Sequence, residues 1–384
     1  MYLFGTNVAP MATSLTPFEL ARARQYFYGD LIGGVLSEAW LLASLAVIFY
    51  SRASQRWQSW LERRGLPAGW RLNAAVFSAV LAAVLVAQFP FSLWLDFFRE
   101  REFGFQHLRL ANWMAQWAES LVVTVVVGTI AATLAYAVLG RRQPVPRRWW
   151  LRLWAVAAVM TVVAVAIDPV VIEPLFNHFT PMTNRVEAER IRALAARAGI
   201  PDARVLVMDA SHQSAHTNAY VNGILGSQRI VVYDTLLREQ SPAEIDFVVA
   251  HEIGHYLLHH LWKGVGFTLV YMLGLFALLG WLYRRWSGGL SVRQPAALPL
   301  VLLILVGAYY LSAPLPNGFS RWEEHQADVY GLHLTGDRAA AAASFVREEH
   351  SDLVYPDPPE WIVWWFFNHP SQEQRLKYVA NARL

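Results

Sequence analysis

The chain has 384 residues, of which 55% are hydrophobic and 16% charged, with a net charge of +3 and a mean hydropathy of +0.28. Soluble proteins carry about 25% charged residues, so this composition excludes a disordered or collagen-like chain and points to a multi-pass membrane protein. The absence of cysteine excludes a disulfide scaffold and any thiolate chemistry.

Taken in chain order, residues 1–30 form an N-terminal segment with no short apolar core and cleavage site, so no removable signal peptide is expected. A hydrocarbon layer about 30 Å thick needs about 20 apolar helical residues. Six segments qualify: 31–50, 74–97, 119–140, 152–173, 265–283 and 297–315. The first four make a transmembrane region over 31–173. Residues 174–262 and 317–384 read as two halves of one polar module, separated by a membrane hairpin over 263–316. The 17 Trp, 15 Tyr and 20 Phe suit membrane interfaces. Of the 32 basic residues only Lys263 and Lys377 are lysine. That bias fits a GC-rich genome and hence a bacterial inner (cell) membrane. The basic clusters lie between apolar runs, so they serve topology rather than nucleic-acid binding.

Within the first half-module, 186–198 is a helix stopped by Gly199. Arg204–Met208 and Arg229–Tyr233 read as strands around an Asn222-Gly223 turn. A helix then opens at Ser241-Pro242-Ala243-Glu244, a capping box with proline at the first position, and is expected to run to about Leu261. It carries His251-Glu252-Ile253-Gly254-His255. Two histidines at i and i+4 share one helix face and can converge on one metal, with Glu252 beside them as general base. His259 lies about 12 Å of helix rise beyond His251, so His259 and His260 read as polar boundary residues, not ligands. A third ligand is expected after the sixth span, in Ser320-Arg321-Trp322-Glu323-Glu324-His325-Gln326-Ala327-Asp328. Glu324 and Asp328 share a face there; Glu323 points elsewhere, toward solvent. Spacing alone leaves Glu323 and Glu324 both open as the ligand.

The chain resembles the CAAX prenyl protease type 1 family, integral-membrane zinc metallopeptidases of the HExxH gluzincin type. The matching residues are Glu173 to Pro181, His216-Thr217-Asn218-Ala219-Tyr220, Arg229 to Leu237, the His251 motif, Ser320 to Asp328, and His369-Pro370 with Arg375. Phe91-Ser92-Leu93 and Phe103-Gly104-Phe105 match in the membrane half. The resemblance implies about six transmembrane helices enclosing a chamber, with a split zincin-like α+β catalytic module. It implies one zinc per chain on His251, His255 and Glu324, and Glu252 activating the water that attacks the scissile carbonyl. Asp328 falls at a position described as a proton donor; orienting a zinc histidine is an equally physical role. Asn218 falls at a substrate-binding edge, and His369 where a side chain binds substrate and stabilises an oxyanion. Arg321 is expected to steady the third-ligand helix, or to make an ordinary ion pair.

The expected partners are a peptide or protein substrate, lipidated or membrane-bound, and the lipid bilayer; no nucleic acid is expected. A membrane quality-control protease is a competing reading within the class. A catalytically silent membrane scaffold or conduit with a structural zinc is the reading outside it, and the intact Glu252 speaks against that one. Loops 51–73, 141–152 and 284–293 hold thirteen arginines against five on the opposite side, which places the catalytic module outside the cytoplasm. The resemblance implies the opposite orientation. Glu38 and Asp168, acids inside spans, read either as chamber-lining groups or as partners of a nearby Arg or of backbone groups.

Overall fold

The computed structural model describes residues 15–139, 145–222 and 228–382. The membrane half begins with α1 (Pro17–Tyr50), opened by a capping box in which Thr16 and Glu19 satisfy each other's backbone N–H. It continues through α2 (Ala53–Arg63) and α3 (Trp70–Ser92), then a π-helical stretch, Leu93–Arg99, leading into α4 (Glu100–Phe103). Next come α5 (Leu110–Ala137) and α6 (Trp149–Ile167), the latter extended by a second π-helical stretch, Asp168–Ile172, into α7 (Glu173–Phe176). The 34 residues of α1 span about 51 Å at 1.5 Å per residue, so its ends stand clear of the hydrocarbon.

The polar part follows as β1 (Phe179–Pro181), α8 (Arg185–Arg197), β2 (Arg204–Met208), β3 (Ala219–Asn222), β4 (Arg229–Tyr233), α9 (Asp234–Glu239) and α10 (Pro242–Leu257). The chain returns through α11 (His260–Trp286) and α12 (Leu298–Leu311). It ends in α13 (Pro314–Thr335), α14 (Arg338–Ser351), α15 (Glu360–Phe366) and α16 (Gln372–Asn381).

Five helical runs are long and apolar enough to cross a membrane, and a sixth is the α12–α13 pair, bent by 51°. The bend follows from Ser312-Ala313-Pro314, where proline starts a new helix instead of continuing the old one. The first five runs are longer than the corresponding sequence segments, whereas α12 ends at Leu311, short of the expected 315, and reaches span length only together with α13. The spans form a closed ring in the order α1, α3, α5, α6, α11, α12 and back to α1. One apolar cluster draws on all six, including Phe49, Phe77, Tyr136, Leu153, Leu279 and Leu300. Val122, Ile130, Val159 and Val270 on these helices are more than half exposed, apolar surface of the kind a bilayer covers. Asp168 lies at the exposed start of its π-helical stretch. Glu38 has one carboxylate oxygen enclosed without a hydrogen-bond partner among the described residues.

In the polar part, four strands make a mixed sheet in the order β1-β2-β4-β3. β2 and β4 run parallel, with Val205 opposite Ile230, so they are not two arms of one hairpin as the sequence suggested. The Asn222 signal belongs instead to the end of β3, which pairs antiparallel with β4; Gly223 lies outside the described residues. α10 lays Ile245, Val249 and Ile253 on the sheet and α8. Its other side meets α13 at two glycines. A Cβ on Gly254 would sit 3.0 Å from Tyr330 Cβ, and one on Gly331 would sit 3.0 Å from the His251 backbone nitrogen. Only hydrogen at those positions lets the two helices approach so closely. α10 stops at Leu257, short of the expected Leu261, because His259 takes a left-handed conformation (φ 58°) and α11 starts afresh at His260.

An ionic cluster ties the ring to the polar part. His216 approaches Asp352 (2.8 Å) and Glu100 (3.1 Å) and stacks on Phe105, while Tyr26 donates to Glu100 at 2.6 Å. Burial favours the neutral ring, but the hydrogen bonds to Asp352 and Glu100 outweigh it and raise the His216 pKa to about 9. The unfolded value is about 6.5. The stabilisation is therefore complete below about pH 6.5 and is lost as pH rises through about 9. Partial exposure of the ring reduces its size through solvent screening. Melting temperatures of wild type and His216→Gln are expected to converge between pH 7 and pH 10; parallel curves would show that the charged ring contributes nothing.

Candidate active site

The site forms where α10 crosses α13, beside the edge strand β3 and the loop after α15. On α10, His251 and His255 lie one turn apart; on α13, Glu324 and Asp328 lie one turn apart and face them. His251 Nε2 and His255 Nε2 are 3.1 Å apart, and the Glu324 oxygens lie 3.3 Å from the first and 3.4 Å from the second. Ligands each about 2.05 Å from a tetrahedral zinc would be about 3.3 Å from one another. These three side chains are also the one His/Asp/Glu group among the described residues whose ligand atoms converge closely enough to hold a metal.

What surrounds the donors fixes their chemistry. Asp328 is buried; its Oδ1 lies 2.9 Å from His251 Nδ1 and accepts from Arg375 Nη2 at 2.6 Å, while Oδ2 accepts from Arg375 Nε at 3.0 Å. His251 thus donates through Nδ1 and can turn a lone pair on Nε2 toward the centre. His260, which the sequence reading set aside, lies buried with Nδ1 3.0 Å from His255 Nδ1 and Nε2 3.1 Å from Gln326 Oε1. If Gln326 accepts from Nε2, then His260 accepts through Nδ1, His255 donates to it, and His255 Nε2 is left as a ligand atom. The left-handed turn at His259 makes this possible by breaking the helix and folding His260 back under His255.

The centre favours a cation. Burial disfavours charge on His251, yet hydrogen bonds to Asp328 and Glu324 override it and raise its pKa to about 10. A metal would take the place of that proton. Glu324 is buried, and its Oε2 faces His251 Nε2 at 3.3 Å while its Oε1 faces His255 Nε2 at 3.4 Å, so both oxygens point into the space between the two imidazoles. The donor set therefore fits one zinc ion. His260→Ala is expected to weaken zinc binding by roughly 10- to 100-fold, read by competition with a chromophoric chelator; unchanged affinity would contradict the tautomer assignment.

Glu252 stands beside this centre, its Oε1 3.9 Å from His251 Nε2. Burial raises its pKa, opposed by the neighbouring imidazoles. His369 Nε2 lies 3.2 Å from Glu324 Oε1, and the ring is half exposed. Both border a cleft of about 360 Å³ that is also lined by Thr217, Asn218 and Ala219 of the β3 edge. Asn218, on the cleft wall, uses its side-chain oxygen to accept from the Ala219 N–H at 2.8 Å, and its side chain also hydrogen-bonds Tyr233. Arg321 makes no ion pair among the described residues: its guanidinium donates to the carbonyls of Val363 (2.9 Å), Trp364 (3.4 Å) and Phe367. It thereby caps the end of α15 and fixes the loop that carries His369. Glu323 is half-buried with an enclosed, unpartnered Oε1, so it is not the solvated residue expected.

Two family models match. Residues 181–383 match Peptidase family M48, and residues 6–178 match the CAAX prenyl protease N-terminal model, five membrane helices. The chain belongs to peptidase family M48. It is therefore a multi-pass membrane metalloprotease, and its six apolar helical runs and small mixed sheet are those of the resemblance.

Among curated relatives, this M48 peptidase is 30% identical to the uncharacterized metalloprotease YhfN of Bacillus subtilis, covering 98% of this chain and 89% of that one. It is 33% identical to CAAX prenyl protease 1 of Saccharomyces cerevisiae, over 77% of this chain and 69% of the relative. Its fold matches the crystal structure of S. mikatae Ste24p with a TM-score of 0.81 at 24% identity, covering 97% of this chain and 92% of that one.

Proposed function

We propose that this M48 peptidase is a zinc endopeptidase that cleaves membrane-associated peptides or proteins, with His251, His255 and Glu324 holding the ion. A zinc ion bound there supplies Lewis acidity, polarising the scissile carbonyl and acidifying a water. Glu252 takes the proton from the attacking water and passes it toward the leaving amine. His369, half exposed at the cleft, donates to the oxyanion. Asp328 is a positioning residue: both its oxygens are held by His251 and Arg375, so it has no free reach to a leaving group.

The substrate backbone docks in extended form along β3. That strand is the outer member of the sheet, and its first residue Ala219 borders the cleft together with Thr217 and Asn218 just before it, so main-chain pairing is available to an added strand. Residues 174–262 and 317–384 act as one split catalytic module whose halves meet at the α10–α13 crossing, and the helix ring encloses the chamber through which substrate arrives. The preponderance of arginine over lysine and the Bacillus relative support a bacterial inner (cell) membrane.

The observation that carries this reading is the convergence of three ligand atoms at near-tetrahedral spacing, with Glu252 and an open cleft on one side. The test is to incubate the detergent-purified protein with matched CaaX-type peptides, farnesylated and unmodified, and with an unrelated peptide pool. Product ends are then mapped by mass spectrometry. Chelator-sensitive internal cleavage supports the reading, and a preference for the farnesylated peptide would assign lipidated substrates. No cleavage of any of these by zinc-loaded protein would contradict it.

A further inference from the structure

The end of the helix ring remote from the catalytic site carries a charge imbalance that the peptidase reaction does not use. Segments 51–73, 145–152 and 284–293 hold eleven arginines, and Glu62 is their one acidic residue. Glu62 already accepts from Gln58 at 3.0 Å. None of the eleven arginines forms an ion pair among the described residues, whereas Arg99, Arg229 and Arg375, elsewhere in the chain, do.

Two features make this more than scattered charge. First, α2 is closed on one side and open on the other. Ser54 donates to the Ala296 carbonyl, and Gln58 accepts from the Ala296 N–H, so that face is packed. The opposite face presents Trp57 and Trp60 stacked at 4.8 Å, with Arg64 over the Trp60 ring and Arg56 and Arg63 exposed nearby. Exposed indoles among arginines are the pattern of a helix lying at headgroup depth. Second, two guanidiniums converge on the end of α5. Arg152 Nη1 donates to the carbonyls of Val138 (3.2 Å) and Leu139 (3.5 Å), and Arg293 Nη2 donates to Leu139 at 3.3 Å. Arg293 Nε and Nη1 are enclosed with no acceptor among the described residues. Arg152, by contrast, is exposed, so the donors it does not spend on these carbonyls stay open to an anion, while Arg293 braces the same Leu139 carbonyl from beneath.

We infer that this end of the protein binds anionic phospholipid, with a phosphate diester met by the exposed Arg152, which Arg293 braces through the shared Leu139 carbonyl, and the outer face of α2 seated among neighbouring headgroups. Nucleic acid would meet the same charge, but the exposed Trp57, Trp60 and Trp70 lie on the belt of a membrane-spanning bundle, where lipid is the ligand in contact. The inference is independent of the peptidase reading, since none of these residues lies at the catalytic cleft.

The test uses the full-length protein in detergent, with thermal unfolding followed on adding phosphatidylglycerol, phosphatidylcholine or inorganic phosphate. Phosphatidylglycerol is expected to raise the melting temperature by several degrees and the other two to leave it unchanged. In R56Q/R63Q/R64Q, whose exposed side chains have no partner carboxylate to lose, the shift should fall by at least half. In R152Q/R293Q, native mass spectrometry should show the retained anionic lipid lost. Should that double variant fail to fold, the triple variant alone decides. Equal shifts from phosphatidylcholine or from phosphate, or a triple variant as responsive as wild type, would overturn the inference.

Discussion

Glu252→Gln is expected to lower the cleavage rate by roughly 100- to 10,000-fold, the range spanned by a positioned general base, while zinc content stays that of wild type. The geometry separates the two effects. Glu252 is not among the three converging ligand atoms, and its carboxylate stands 3.9 Å from His251 Nε2 on the cleft side. An amide of the same shape keeps the packing of α10 but cannot accept the proton of the attacking water. The comparison requires rate and metal content on the same preparation. A variant that keeps its zinc and retains more than about a tenth of wild-type activity would remove Glu252 from the role of base.

The second large effect is on stability. Asp328→Ala is expected to destabilise the protein by about 3–5 kcal/mol, because it strands the Arg375 charge in a buried site. Arg375 has its Nη2 and Nε on Asp328 and its guanidinium over the Phe345 ring at 4.0 Å, with Glu348 the next carboxylate at 3.9 Å. Losing Asp328 also frees the His251 ring, so zinc affinity should fall along with stability. Asp328→Asn tests the same pair more gently: the shape remains, but the neutral amide attracts Arg375 far less. Denaturant melts of the zinc-free proteins isolate the ion pair from the metal. An Asp328→Ala midpoint equal to that of wild type would show that Arg375 finds another anion.

The two histidines of the candidate metal centre were legible because their signal is local, whereas spacing alone left Glu323 and Glu324 both open and only the resemblance pointed to Glu324. His251 and His255 are spaced by one helical turn, the capping box at Ser241 fixes where that helix begins, and Glu324 with Asp328 repeats the same spacing. The supporting residues were not legible, because their partners are remote. Asp328 meets Arg375 across 47 positions and His260 meets Gln326 across 66, and no period in the chain links them. His260 was discounted on the assumption of an unbroken helix, and the left-handed conformation of His259 ends it. The strands were placed correctly at β2 and β4, yet their parallel pairing and the insertion of β3 at the edge depend on long-range contacts. The apolar runs gave the five unbroken candidate spans and the position of a sixth; the α12–α13 bend at Pro314, which delivers Glu324 to the site, came only with the fold.

The most direct test of the account is the metal content of the purified protein measured by elemental mass spectrometry, for wild type beside Glu324→Ala. The account predicts close to one zinc per chain in wild type, removed together with peptidase activity by a chelator and restored with it on adding zinc. It predicts loss of both metal and activity in the variant. A wild-type protein that cleaves peptide with no metal bound, or a Glu324→Ala variant that keeps its zinc at wild-type affinity, would contradict it.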